Sequence, residues 1–162
     1  MMAESIEFSL IGIDSLLGKL QSVNYDVKRK GGRSALRRGA QLVAEKAREG
    51  AARLDDKETG RSIAQNIAVR WNGRRFRATG DLAFRIGVLH GAVLKDGGNK
   101  AENSPTPHWR LLEFGTERMR AQPFMRTALA DNISAVTDEF LSQYEKAIDR
   151  AIRRAQKVRG LS

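Results

Sequence analysis

The segment 123–158 constrains the fold most. Phe124, Ala128, Leu129, Ile133, Val136, Phe140, Tyr144, Ile148 and Ile152 recur at steps close to three and four residues, the spacing of one face of an α-helix. Pro123 opens the segment, where its missing N–H costs little. A straight helix of this length runs about 54 Å at 1.5 Å per residue. A compact domain of this chain length has a radius of gyration of about 15 Å, hence a diameter of roughly 40 Å. The helix is therefore expected to kink or to project beyond its own domain. Because the stripe continues to Ile152, a projecting part would pack on another subunit, with Tyr144, Ile148 and Ile152 as contact candidates.

Ahead of this helix the periodicity alternates between two patterns. Residues 5–12 read as a strand, since Ile6, Phe8 and Leu10 alternate with Glu7 and Ser9. Asp14 is a candidate N-cap for a short helix through Leu16, Leu17, Leu20 and Val23. A long helix follows over 26–54, with the stripe Leu36, Ala40, Val43, Ala47, Ala51 and Leu54. Gly31, Gly32 and Gly39 weaken its first half, each by up to about 1 kcal/mol relative to Ala, so it is expected to fray early or to begin near Arg33. Period-two segments at 62–72 and 82–89 flank the Asn72-Gly73 pair, a hairpin signal, although Arg74, Arg75 and Arg77 argue for an irregular connection. Residues 90–108 are crowded with Gly, Asn, Ser and Pro and read as a flexible loop, longer than loops usually are. Residues 109–114 read as a last short strand. The expected fold class is α+β: a small, mainly antiparallel sheet packed against two long helices near 33–54 and 123–158.

Composition narrows the chemistry. No cysteine is present, so disulfide scaffolds, thiolate metal sites and thiol nucleophiles are excluded. With only His90 and His108, histidine triads and multi-histidine metal sites lack raw material. The start of the chain shows no signal-peptide pattern, and no apolar run approaches the roughly 20 residues that span a bilayer. Glu113, Glu117 and His108 have no ligand spacing, and the same holds for Asp55, Asp56 and Glu58. The stretch Gly97, Gly98, Asn99, Lys100 lacks the spacing of a phosphate loop. A non-enzymatic protein with neither cofactor nor metal is expected.

The 162 residues carry 29 Lys and Arg against 19 Asp and Glu, a net charge of +10. That excess calls for an acidic partner. Arg33, Arg37 and Arg38 on the long helix, with Arg74, Arg75 and Arg77, are candidates to contact DNA or an acidic protein face. There is no base-reading motif; only Trp71 and Phe76 sit among the arginines as possible stacking groups.

The most informative residues are WRLLEFGT at 109–116 followed by AQPFMRTAL at 121–129. They resemble the signature of a family of minor tail components of tailed phages, the tail-completion or head–tail joining proteins of lambdoid and related siphophages. There a strand ends in an E-F-G-T-like turn and a short connection leads into a P-F-[LM]-R helix start. Thr127 departs from the proline often found after the Arg. The resemblance implies one tail-completion-like domain over residues 1–162, acting in the neck or tail top. It further implies a homo-oligomeric ring, sixfold to match a tail tube, with DNA passing through the channel. Its neighbours would be a tail terminator or tail tube and the head connector or adaptor proteins, with no membrane. The role is architectural, so no catalytic residue is implied.

Gly115 suits a positive-φ turn, and Phe114 and Phe124 are placed to pack on one another or on the sheet. Arg126 stands where the helix dipole disfavours a cation, which calls for a compensating carboxylate in the same or a neighbouring subunit. The interface candidates are Glu113, Glu117, Arg118, Arg120 and Arg126, together with Lys95, Asn99 and Lys100 on the loop, a segment expected to order on docking. A sequence-independent nucleic-acid-binding protein is the alternative reading.

Overall fold

The computed structural model describes residues 17–18, 21, 24–55, 62–89, 106–158 and 160. The expected strand at 5–12 and most of the loop at 90–108, with Lys95, Asn99 and Lys100, lie outside the described residues. Of the expected short helix only positions 17, 18 and 21 are described, and all three are helical.

Two long helices form the frame. Helix α1, Tyr25–Ala52, begins well before Arg33 and runs straight through the glycines that were expected to fray it. Its buried face carries Ala35, Ala40, Val43, Ala44, Ala47 and Ala51, so Ala35 and Ala44 join the stripe read from sequence. The glycines earn their place by contact rather than propensity. A Cβ on Gly31 would stand 3.2 Å from Ala147 Cβ, and one on Gly50 would stand 3.1 Å from Phe124 Cβ. The last helix of the chain therefore lies close along α1, and that packing offsets the low helix propensity.

The chain then makes a one-turn helix, α2, Ile63–Asn66, where a strand was expected. The local chemistry explains the difference. Ser62 caps the turn by accepting from the Gln65 N–H at 3.3 Å, and Asp55 accepts from the N–H groups of Ile63 at 2.7 Å and Ala64 at 3.3 Å. Fully buried Ile63 belongs to this turn, not to a strand. Strand β1, Ile67–Trp71, pairs antiparallel with β2, Phe84–Val88, in the register Ile67↔Val88 to Trp71↔Phe84. Their connection is not a hairpin turn. It is helix α3, Gly73–Thr79, capped by Asn72 accepting from the Arg75 N–H at 3.2 Å and closed by Gly80 at φ 77°. Asn and Gly serve hairpins and helix ends alike, and here the separation of Asn72 from Gly80 makes them the two ends of one helix.

Residues 109–114 are also helical: α4, Trp109–Phe114. Trp109 and Leu112, three residues apart, pack on the core, while Leu111 and Phe114 point outward. A short apolar run fits a strand and a helix equally well by periodicity; the i, i+3 burial identifies it as helix.

The final segment is broken, one of the two outcomes that the length argument allowed. Helix α5, Met125–Ala130, is separated from α6, Ile133–Val158, by Asp131 and Asn132. Asn132 Nδ2 donates to the Ala128 carbonyl at 3.0 Å while its own carbonyl accepts from the Val136 N–H at 2.9 Å, so one residue serves both helix ends. Helix α6 then packs along α1. Ile148 is fully buried, and the Tyr144 hydroxyl donates to the Lys28 carbonyl at 3.1 Å. Both are thus engaged within the chain, whereas positions 153–158 are exposed. The core joins α1, α2, β1 and the start of α5 through Val43, Ala47, Ile63, Ile67 and Phe124. The observed class is α+β, mostly helical with a two-stranded antiparallel sheet.

Candidate functional site

The signature residues build a clamp between α4 and α5. Helix α5 starts at Pro123 and Phe124 with no side-chain cap of its own, leaving its first N–H groups without an acceptor. Glu113 supplies one from the preceding helix. Its Oε2 accepts from the N–H groups of Phe124 at 2.8 Å and Met125 at 3.0 Å, and its Oε1 from the Arg126 N–H at 3.1 Å. The Arg126 side chain closes the clamp: Nε donates to Glu113 Oε1 at 3.1 Å and Nη2 to the Glu113 carbonyl at 2.7 Å. Glu113 is 1% exposed. It is also the carboxylate that compensates Arg126, in the same subunit.

The turn between the helices brings these groups together. Gly115, at φ 74° and ψ 179°, ends α4 with its N–H donating to the Leu111 carbonyl at 2.8 Å. Thr116 Oγ1 accepts from the N–H groups of Arg118 and Met119, and the Gln122 N–H returns to the Leu112 carbonyl at 2.7 Å. Thr127 donates its hydroxyl to the Pro123 carbonyl at 2.9 Å, a bond that a proline there could not make. Phe124 is buried, but Phe114 is 64% exposed and does not pack on it. Instead the Arg126 guanidinium lies 5.2 Å from the Phe114 ring centroid.

Burial alone would push the Glu113 carboxyl up; the N–H groups of Met125, Phe124 and Arg126 and the Arg126 guanidinium outweigh it and hold the group below the usual glutamate range. The unfolded chain therefore takes up this proton first as pH falls. The clamp's contribution is whole above the ordinary value of about 4.3 and fades as pH drops through the lowered folded value. Denaturation midpoints followed downward from neutral pH are expected to decline below about pH 4–5, and Glu113→Gln is expected to flatten part of that decline.

The other candidates separate into groups. Glu117, Arg118 and Arg120 are exposed on the clamp turn. Ile152 is half-buried near the end of α6. Arg75 is held by Asp81 at 3.2 Å, while Arg74 and Arg77 are exposed on the same helix. Arg33 is stacked on Trp71, its guanidinium carbon 4.1 Å from the ring centroid, and Arg37 lines the adjoining depression. Arg38 is exposed on α1 and is not among the residues lining that depression. Sequence reasoning missed Arg29, which covers Phe76 at 4.4 Å, and the capping roles of Asp55 and Glu113. The signal for Glu113 was present: a helix opening on Pro-Phe without Ser, Thr, Asp or Asn needs an acceptor from elsewhere.

Among the described residues no group of three or more His, Cys, Asp or Glu side chains could hold a metal ion. No helix among them is long and apolar enough to cross a membrane. Neither curated proteins nor solved structures provide a match to the chain. The HK97-gp10-like family, described as "Bacteriophage HK97-gp10, putative tail-component", matches residues 14–115. That span runs from before α1 to Gly115 of the clamp and covers more than half of the chain. The chain therefore belongs to the HK97-gp10-like family of phage tail components, which makes it a structural protein of the virion.

Proposed function

We propose that this tail component sits at the neck or tail top, where it forms a homo-oligomeric ring that completes the tail and joins it to the head connector. The observation that carries the reading is the exposure of large apolar side chains on the helices that the clamp joins, Leu111 and Phe114 on α4 and Leu129 on α5, with Arg126 against Phe114. Exposed large apolar side chains beside a cation suit a contact between proteins. Glu113 and Arg126 are engaged with each other, so the clamp sets the angle at which α4 and α5 present these side chains. Arg118, Arg120 and Glu117 are exposed on the turn between the two helices.

Such a contact is heterologous, one patch meeting a different patch on the next copy, and it closes into a ring when the rotation allows. Six copies would match a tail tube, with DNA passing through the opening. The neighbours are a tail terminator or tube on one side and connector or adaptor proteins on the other. The segment 90–108 supplies contacts on docking. The role is architectural and non-enzymatic.

Deleting the gene is expected to leave filled heads and assembled tails that fail to join, with joining restored by adding the purified protein. Particles with normally joined tails would contradict the proposal, as would the loss of tails altogether. Mass photometry of the purified protein with isolated tails is expected to resolve a discrete ring.

A further inference from the structure

The basic surface of α1 is flanked by depressions that the tail-component reading does not use. Three neighbouring depressions share Lys30. One runs past Arg33 and Arg37 toward Trp71, and another past Arg29 toward Phe76. The third lies between α1 and α6 and reaches Arg150 and Arg154. Arg29, Lys30, Arg33, Arg37, Arg150 and Arg154 thus form one belt, and among the described residues no carboxylate lines any of the three depressions.

The geometry narrows the ligand. Arg33 covers the Trp71 ring at 4.1 Å and Arg29 covers Phe76 at 4.4 Å. These stacked guanidinium groups are held in place by cation–π attraction, with their N–H edges left to face a ligand. Because one face of each aromatic is occupied, the belt offers a poor platform for stacked single-stranded bases. The aromatics that line the depressions, Trp71, Phe76 and Phe84, are half-buried, while Tyr25, 64% exposed, lies 5.2 Å from the Arg29 guanidinium at the start of α1. Among the described residues no Asn or Gln lines the belt, so adenine edges have no amide partner. Lys30, Arg33 and Arg37 are separated along α1 by rises of about 4.5 and 6 Å, within reach of successive phosphates on one strand.

We infer that this belt is a sequence-independent binding site for the phosphate backbone of duplex DNA. The inference goes beyond the proposed ring and does not depend on it.

The test is fluorescence anisotropy with two unrelated duplexes of about 20 bp, titrated between about 50 and 200 mM salt. Both duplexes are expected to bind equally. Arg33→Gln with Arg37→Gln, and separately Arg150→Gln with Arg154→Gln, should each reduce the steepness of log K against log salt by about 1.8. Each pair should also weaken binding at least about tenfold at the lower salt. Arg53→Gln with Arg110→Gln, an equal charge change at exposed positions outside the belt, should stay within about threefold. Circular dichroism checks that each variant is folded, and the exposed α6 pair carries the test if the α1 pair is not. Equal losses from the belt and control pairs would overturn the inference, as would no binding at low salt. Displacement of the duplex by polyglutamate of matched charge at an equal or lower concentration would also overturn it, and would assign the belt to an acidic protein segment.

Discussion

Glu113→Ala is expected to lower stability by about 2–4 kcal/mol, the range for losing a helix cap and leaving buried donors without an acceptor. Three N–H groups at the start of α5 and the Arg126 guanidinium lose one shared acceptor. Unmet buried donors cost more than an ordinary hydrogen bond contributes. For a chain of this size the midpoint should fall by roughly 10 °C. Glu113→Gln should cost less, because one carbonyl oxygen remains, but its amide would face N–H groups that also donate. Arg126→Ala should cost only about 1 kcal/mol, since its side chain is 60% exposed and solvent screens the pair. Calorimetry of the two single variants and the double variant separates capping from the ion pair: if capping dominates, Glu113→Ala costs nearly as much in the Arg126→Ala background. Equal costs for Glu113→Ala and Arg126→Ala would instead make the clamp an ordinary surface ion pair.

Gly115→Ala is expected to be comparably damaging for a different reason. At φ 74° and ψ 179° the residue occupies a region open essentially only to glycine, where strain costs about 1–3 kcal/mol. A Cβ would also stand 2.7 Å from Ala121 N and 2.9 Å from Met119 O. Both are backbone atoms, so no side chain can swing aside. Relief requires moving the clamp turn, which would strip the Gln122 to Leu112 bond and draw Glu113 away from α5. A loss of about 3 kcal/mol or more is expected from strain and collision together. Gly80 provides the comparison: its φ is 77°, but nothing lies within 4 Å of an added Cβ. Gly80→Ala should cost about 1–2 kcal/mol, the left-handed penalty alone. Equal denaturation midpoints for the two variants would mean that the clamp turn can relax.

What was legible in the sequence depended on whether the deciding contact was local. Length against domain size called for either a kink or a projection in 123–158, and Asn132 supplies the kink through bonds to residues four positions away on either side. The antiparallel pairing of β1 with β2 was visible as two alternating segments, but their register and the helix between them were not. Helix α1 was visible as well, but not its start, because Gly31 is justified only by Ala147 and Tyr144 on a helix more than 100 residues later. The same limit applied to 109–114. Its apolar residues carry no decisive period, and the roles of Glu113 and Gly115 appear only when residues 119–126 fold back on them. The signature was recognisable as a string of letters before its mechanics were. Those mechanics moved Glu113 and Arg126 into a clamp within the chain and left Arg118 and Arg120 exposed on its turn. The excess of +10, read from sequence as calling for DNA or an acidic protein face, includes the six Lys and Arg residues that line the depressions on α1 and α6.

Location within the particle tests the central claim most directly. Electron microscopy of purified phage carrying a gold-labelled tag on this chain is predicted to place the label at the head-proximal end of the tail, one cluster per particle. Label at the distal tip, along the tail shaft or absent from infectious particles would contradict a role in completing the tail and joining it to the head.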